Sequence, residues 1–198
     1  SSLAQDVFAL DRYGDSSGSE PDTSRATRYS DEQLYALALY LYSLRPPPNL
    51  NRFDDHAARG EKIFEREGCG RCHTPPLFTS NKLVPADGFG VPADHRTRFD
   101  LLETHVGVDP RYALQTHKGT GYYKVPSLKG VWYRGPLEHN GSVAQLEDWF
   151  DPARLRDDYV PTGFKGFDNK KRGVQGHTFG LTLPAGEKDA LIAFLRTL

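Results

Sequence analysis

Apolar positions along this chain fall into three separated helical patterns, with long stretches of weak periodicity between them. The first follows Ser30-Asp31-Glu32-Gln33, which reads as a capping box: the Ser30 hydroxyl can accept the amide of Gln33 while the Gln33 side chain reaches back. Leu34, Leu37, Ala38, Leu41 and Leu44 continue it at helical spacing, and Pro46-Pro47-Pro48 ends it with a stiff extended joint. The second pattern runs from Asp55 to Glu67, with Asp54 or Asp55 as cap, Ala57, Ala58, Ile63 and Phe64 as its apolar face, and Gly60 leaving room for another backbone. The third closes the chain. From Glu187, the residues Leu191, Phe194, Leu195 and Leu198 repeat at i, i+3, i+4 and i+7, and Ile192 widens the stripe. The pattern predicts that the second and third helices cross, with Gly60 at the contact.

Ser1 to Tyr29 is polar and broken by Gly14, Gly18 and Pro21, so it reads as mostly loop. Between the second and third helices lie roughly a hundred residues, far more than an ordinary connection needs. Such length predicts a wrap around something large, with Leu77-Phe78, Leu83-Val84 and Phe89 as apolar wall. Short helices are expected from Asp109-Pro110 towards Gln115 and from Pro126 towards Val131. Another is expected through Leu146, Trp149 and Phe150, opened by a second capping box at Ser142-Val143-Ala144-Gln145 and interrupted or restarted at Pro152. The organisation expected is an N-terminal extension, residues 1–48, followed by one domain, residues 49–198. The extension reads either as the tail of a preceding unit or as a helix that packs on that domain.

Composition narrows the picture. A chain of 198 residues holds one good core, or one core with an appendage. Hydrophobic residues make up 37%, and Gly and Pro are frequent, which suits loops draped over an apolar body that is not itself polypeptide. The formal net charge is -1 and no long basic run exists, so neither nucleic acid nor an anionic membrane is an expected partner. No apolar run is long enough to span a bilayer. The chain opens Ser1-Ser2-Leu3 without a charged and then apolar leader, which suggests a mature or excised form.

The chemistry concentrates at Cys69-Gly70-Arg71-Cys72-His73. Two cysteines two residues apart, followed at once by histidine, form the attachment signature of a c-type haem. Each thiol adds across one vinyl group of the porphyrin, and His73 becomes the proximal ligand of the iron. A structural zinc site needs four ligands, yet the only two cysteines are already in the motif. A redox Cys-X-X-Cys opens a helix after a strand, whereas this one closes a helix. One covalent haem c is therefore the expected cofactor, and thioether attachment, carried out on the outer side of the energised bacterial membrane, points to the periplasm.

The ligand opposite His73 decides the chemistry. Methionine is absent from the chain. His56 lies on the helix entering the motif, His95 sits in the charged stretch Asp94-His95-Arg96, and His105 and His117 flank loops of no particular character. His139 and His177 stand beside glycines, in Glu138-His139-Asn140-Gly141 and Gly176-His177-Thr178-Phe179-Gly180. His177 lies shortly before the last helix, where small cytochromes bring their distal ligand, so His73 and His177 are the expected iron ligands, with His139 as second choice. Histidine on both sides makes a low-spin iron suited to electron transfer.

Lys124-Val125-Pro126-Ser127-Leu128-Lys129-Gly130-Val131, followed by Arg134-Gly135-Pro136-Leu137-Glu138-His139-Asn140-Gly141-Ser142, resembles the C-terminal domain of the bacterial di-haem cytochrome c peroxidase superfamily. That superfamily includes the methylamine-dehydrogenase maturation enzyme and the rubber oxygenases. With the haem motif and the ending Ala190 to Leu198, the resemblance covers about residues 50 to 198. It implies an all-α fold: a cytochrome c fold with long haem-wrapping loops, here with an extra N-terminal helix. Two departures matter. The family's methionine ligand is missing from Glu147 to Leu155, the His177 segment resembling the rubber-oxygenase side, and only one haem motif is present.

Lys165, Lys170, Lys171 and Arg172 form a local positive segment that either steers an acidic redox partner or is simply solvated. Trp132 and Tyr133 read first as core aromatics. Glu138 beside His139 has the makings of an acid/base pair. The function expected is electron transfer with an unidentified redox partner protein, alone or as a domain of a larger multi-haem oxidoreductase. The alternative is a peroxidase-like enzyme with an open distal site, flanked by His139 and Glu138.

Overall fold

Two helices far apart in sequence pack together in the structure, a computed structural model that describes residues 29–104, 106–115, 119–166 and 171–198. His105, His117 and Lys170, and all but the last residue of the expected N-terminal loop, lie outside the described residues. The chain divides after Pro48 into two units, Ser1–Pro48 and Asn49–Leu198.

In the first unit, α1 (Asp31–Ser43) starts at the capping box: Gln33 N donates to Ser30 Oγ at 3.3 Å and Ser30 N to Gln33 Oε1 at 2.9 Å. None of its residues is buried. The chain leaves the helix in extended conformation at Leu44, before the prolines.

In the second unit, α2 (Asp55–Arg66) is capped by Asp54, whose carboxylate accepts the amides of His56 and Ala57. Its buried face is Ala57, Gly60, Ile63 and Phe64. Two short helices, α3 (His95–Arg98) and α4 (Arg111–Gln115), and then α5 (Leu146–Trp149), follow in the long loop region. The closing helix α6 (Ala185–Arg196) buries Ala190, Leu191, Ile192, Phe194 and Leu195. It crosses α2 at Gly60, where a Cβ would stand 1.9 Å from the carbonyl oxygen of Ala190. Ile63, Phe64, Leu146, Phe150, Leu183 and the buried face of α6 make one continuous core, with Cys69, Phe78, Leu128 and Trp149 packed against it.

The all-α expectation is corrected. Strand β1 (Leu83–Pro85) pairs antiparallel with β2 (Tyr122–Lys124), in the register Leu83 to Lys124, Val84 to Tyr123 and Pro85 to Tyr122. Beyond the helices, most of the long region is irregular. The physical reason is backbone satisfaction: a long excursion with buried residues such as Val84 and Ala86 must pair its amides, and a short ladder does so where no helical period exists.

Two further expectations fail locally. The stretch from Pro126 to Val131 forms irregular chain and then turns rather than a helix. Ser142 does not cap α5; its hydroxyl accepts from Arg172 at 2.7 Å, and Gln145 precedes the helix without a side-chain cap. That bond also turns Arg172 inward, away from a solvated basic patch.

Candidate haem site

Helix α2 stops because Gly68 takes the left-handed conformation, φ 74°, and its amide returns to Glu65. The chain then tightens into a 3-10 turn, Cys69–Arg71, and His73 N donates to the Cys69 carbonyl at 2.9 Å. Cys69, Cys72 and His73 are thereby presented from one turn. Both cysteines are free and partly buried. Burial first, and then the charge of Glu67, push the Cys69 thiol up to about 11; burial also raises Cys72.

The His73 ring is fixed by two main-chain carbonyls. Its Nδ1 lies 3.1 Å from Pro126 O and 3.3 Å from Phe78 O. A carbonyl oxygen only accepts, so Nδ1 carries the proton and Nε2 is left with its lone pair, the arrangement found behind metal-bound histidines. Burial holds His73 below the ordinary imidazole range. Phe78 reaches this position with φ 52°, an outlier for a bulky residue. Its ring is held by edge contacts to Phe64 at 5.9 Å and Phe194 at 6.0 Å, which tie the strained carbonyl to the core. The neighbouring Ser80, whose amide donates to Cys72 O, has a buried hydroxyl without a partner.

His177 lies towards the other end of the chain, ahead of α6. Its ring meets Trp149 edge-on at 5.2 Å and Phe179 at 5.6 Å. Its Nδ1 is buried without a hydrogen-bond partner. Burial lowers its pKa to about 4, and the charges of His73 and then Arg154 push in the same direction.

The other described histidines are engaged elsewhere. His56 faces Arg59 at 3.0 Å on the outer side of α2. His95 shares a hydrogen bond with the Tyr122 hydroxyl at 2.9 Å and packs on Phe99. His139 lies between the rings of Tyr123 at 5.0 Å and Tyr112 at 5.7 Å, with its Nδ1 against the buried Glu138 carboxylate. Trp132 and Tyr133 pair at 4.8 Å and line a cleft with Leu146 and Arg196.

These residues fit a porphyrin-borne metal better than a bare ion. Among the described residues no group of three or more His, Cys, Asp or Glu side chains converges to hold an ion by itself. Two free thiols, one imidazole with its lone pair defined and a second, buried imidazole with an unpartnered nitrogen match a metal that arrives with most of its ligands. Sequence reasoning missed Pro126 and Phe78 as the supports of His73, because main-chain carbonyls carry no side-chain signal. It also missed Arg154, fully buried beside His177, which reads in the sequence as one charge in a polar run.

No family model matches the chain. It is similar to the cytochrome-c peroxidase IdrP1 of Denitromonas iodatirespirans, with 30% identity over 113 residues, covering 46% of this chain and 29% of that protein. It is similar to the uncharacterized protein y4iJ of Sinorhizobium fredii (strain NBRC 101917 / NGR234), with 34% identity over 106 residues, covering 38% of this chain and 18% of that protein. The chain thus spans less than a third of either relative. Among solved structures, a MauG-like protein associated with microbial copper homeostasis overlays 83% of this chain and 47% of its own, with a TM-score of 0.38 and 19% identity.

Proposed function

We propose that the chain carries one haem c, joined to Cys69 and Cys72 and ligated by His73 and His177, and that it passes single electrons to or from a redox partner protein in the periplasm. The observation that carries this reading is the pair of carbonyls on His73 Nδ1, which leaves Nε2 as a metal ligand directly after the two cysteines. When bound, the haem supplies a one-electron couple whose potential follows its axial ligands, burial and nearby hydrogen bonds. The polypeptide's part is to keep both ligands in the right state. Pro126 and Phe78 hold the His73 tautomer, and burial keeps His177 a neutral base at physiological pH. The rings of Trp149 and Phe179 pack on the His177 ring.

The likeness of part of the chain to a cytochrome-c peroxidase supports haem-based redox chemistry at a coarse level. The periplasmic reading rests on the chemistry of thioether attachment; among the described residues no helix is long and apolar enough to cross a membrane. We read residues 1–48 as an appendage to the haem domain of residues 49–198. A second reading, a peroxidase-like enzyme with an exchangeable distal site, is favoured by the buried Glu138 carboxylate against His139, an arrangement able to take up and return a proton.

An absorption spectrum with and without carbon monoxide separates the two. Electron transfer through two histidine ligands requires a low-spin iron in both redox states that resists the gas. A peroxidase-like site binds it after reduction. Protein that loses its pigment to acid and organic solvent, or that keeps two reactive thiols when pure, contradicts covalent attachment altogether.

A further inference from the structure

Arg154 is the most deeply buried charged group described, with 0% of its surface exposed, and the proposed electron-transfer role makes no use of it. It stands in the 3-10 turn Pro152–Leu155, directly after α5, a turn capped by Asp151 through the Ala153 amide. Its guanidinium donates to three main-chain carbonyls: Nε to Trp149 O at 2.8 Å, Nη1 to Val174 O at 2.7 Å and Nη2 to His177 O at 2.7 Å. Among the described residues it forms no ion pair with a carboxylate. Its backbone carbonyl accepts from Val174 N, so main chain and side chain bind the same segment.

The guanidinium also lies 4.4 Å from the centre of the Trp149 ring, and that ring makes an edge-to-face contact with His177. Arg154, Trp149 and His177 therefore form one layer. Gly176 belongs to it as well, since a Cβ there would come within 2.8 Å of Trp149 Cη2. Burying a guanidinium on carbonyls alone is costly, and an apolar side chain of similar volume would fill the space without that cost. What an apolar residue lacks is a planar fork that reaches three diverging carbonyls at once, together with a fixed positive charge beside the site.

We propose that Arg154 is the positioning residue for the distal side of the haem. It ties the His177 carbonyl to the α5 turn so that the imidazole is presented in one orientation, and its charge would favour the reduced state of a metal held by that imidazole. This rests on the reading of His177 as an iron ligand. The fork and the charge are separable: lysine keeps the charge and loses the fork, whereas glutamine loses the charge and keeps one donor group.

The test uses haem-loaded wild type, Arg154→Lys, Arg154→Gln, Gly176→Ala and His177→Ala, each read by absorption spectrum, carbon monoxide binding after reduction, and midpoint potential. Arg154→Lys is expected to gain a high-spin fraction and to bind the gas, with added imidazole restoring the low-spin spectrum. Arg154→Gln is expected to do the same and also to shift to a more negative potential. Gly176→Ala, which crowds Trp149 with Arg154 intact, is expected to loosen the ligand as Arg154→Lys does. It also serves if the Arg154 variants fail to accumulate. Should His177→Ala abolish the low-spin spectrum while Arg154→Lys and Gly176→Ala keep it and still resist the gas, the positioning role is overturned and the ligand assignment stands. Should His177→Ala itself stay low-spin, both fall.

Discussion

His73 Nδ1 stands 3.1 Å from the carbonyl oxygen of Pro126, 53 residues further along the chain. That contact joins the cysteine-bearing turn to the segment that leads out of β2, and it defines which imidazole nitrogen is free. Because the acceptor is main chain, no side-chain substitution removes it. Its support can be attacked instead through Phe78, whose carbonyl is the second acceptor. Phe78→Ala empties a ring site between Phe64 and Phe194 and leaves a non-glycine residue at φ 52°. The expected loss is about 3 kcal/mol, the lower end for a phenylalanine truncated in a core, because the ring is only partly buried. Denaturant unfolding of the haem-loaded protein measures it; a loss below about 1 kcal/mol would mean that the ring does not support the turn.

Gly60→Ala sets two effects against each other. Helix propensity alone would reward the change by about 1 kcal/mol. The added Cβ would meet Ala190 O at 1.9 Å and Ala190 C at 2.6 Å, both backbone atoms of α6 that cannot swing aside. Overpacking of this kind costs about 3 kcal/mol or more, so the net expectation is a clear fall in melting temperature. An unchanged or raised melting point would show that the two helices can separate freely.

His177 sets an acid limit. Burial, His73 and Arg154 lower it to about 4 from an ordinary 6.5. A lowered folded value means that the unfolded chain takes the proton first. The stability due to neutral His177 is thus whole above about pH 6.5, declines as pH falls and is gone once pH has passed through about 4. A metal on the same ring only deepens the effect. The low-spin spectrum is expected to persist at pH 5 and to give way near or below pH 4, followed by absorption across an acid titration; a midpoint of 6 or above would be incompatible with a buried His177.

The two thiols of a haem-free chain are expected to differ in reactivity. Burial and Glu67 hold Cys69 up at about 11, so at neutral pH it is almost wholly protonated and slow to alkylate. Cys72 is raised as well, but by a milder burial offset in part by Arg71. Mass spectrometry after timed alkylation should find Cys72 modified first. In haem-loaded protein neither should react, and free thiol there would speak against two thioethers.

The ion pair between Arg66 and Glu187, 2.6 Å long at the ends of α2 and α6, should matter little despite its good geometry. Both side chains are more than a third exposed. Glu187→Gln is expected to cost little, and less still in high salt. A chemical denaturation series at two ionic strengths tests this; a larger or salt-insensitive loss would show that the pair holds the crossing together.

Local chemistry made much of this protein readable in advance. The spacing of Cys69, Cys72 and His73 reads as haem attachment because the geometry of a porphyrin leaves little choice of spacing. The Ser30 capping box follows from hydrogen bonding within one turn, and the apolar faces of α2 and α6 from helical periodicity, both of which act over a few residues. Chain order singled out the Gly176-His177 segment, and His177 as an iron ligand remains a proposal.

The rest depends on partners distant in sequence, which no local pattern encodes. The strands β1 and β2 are three residues each, too short for an alternation to register, and they exist because each satisfies the other's backbone. Ser142 resembled a cap, yet its hydroxyl is taken by Arg172, 30 residues away. Pro126 and Phe78 act through carbonyls, which every residue has, and only the fold decides which carbonyl faces His73. Arg154 is the sharpest case: in sequence it is one charge among several, and burial by tertiary packing turns it into the group that holds His177.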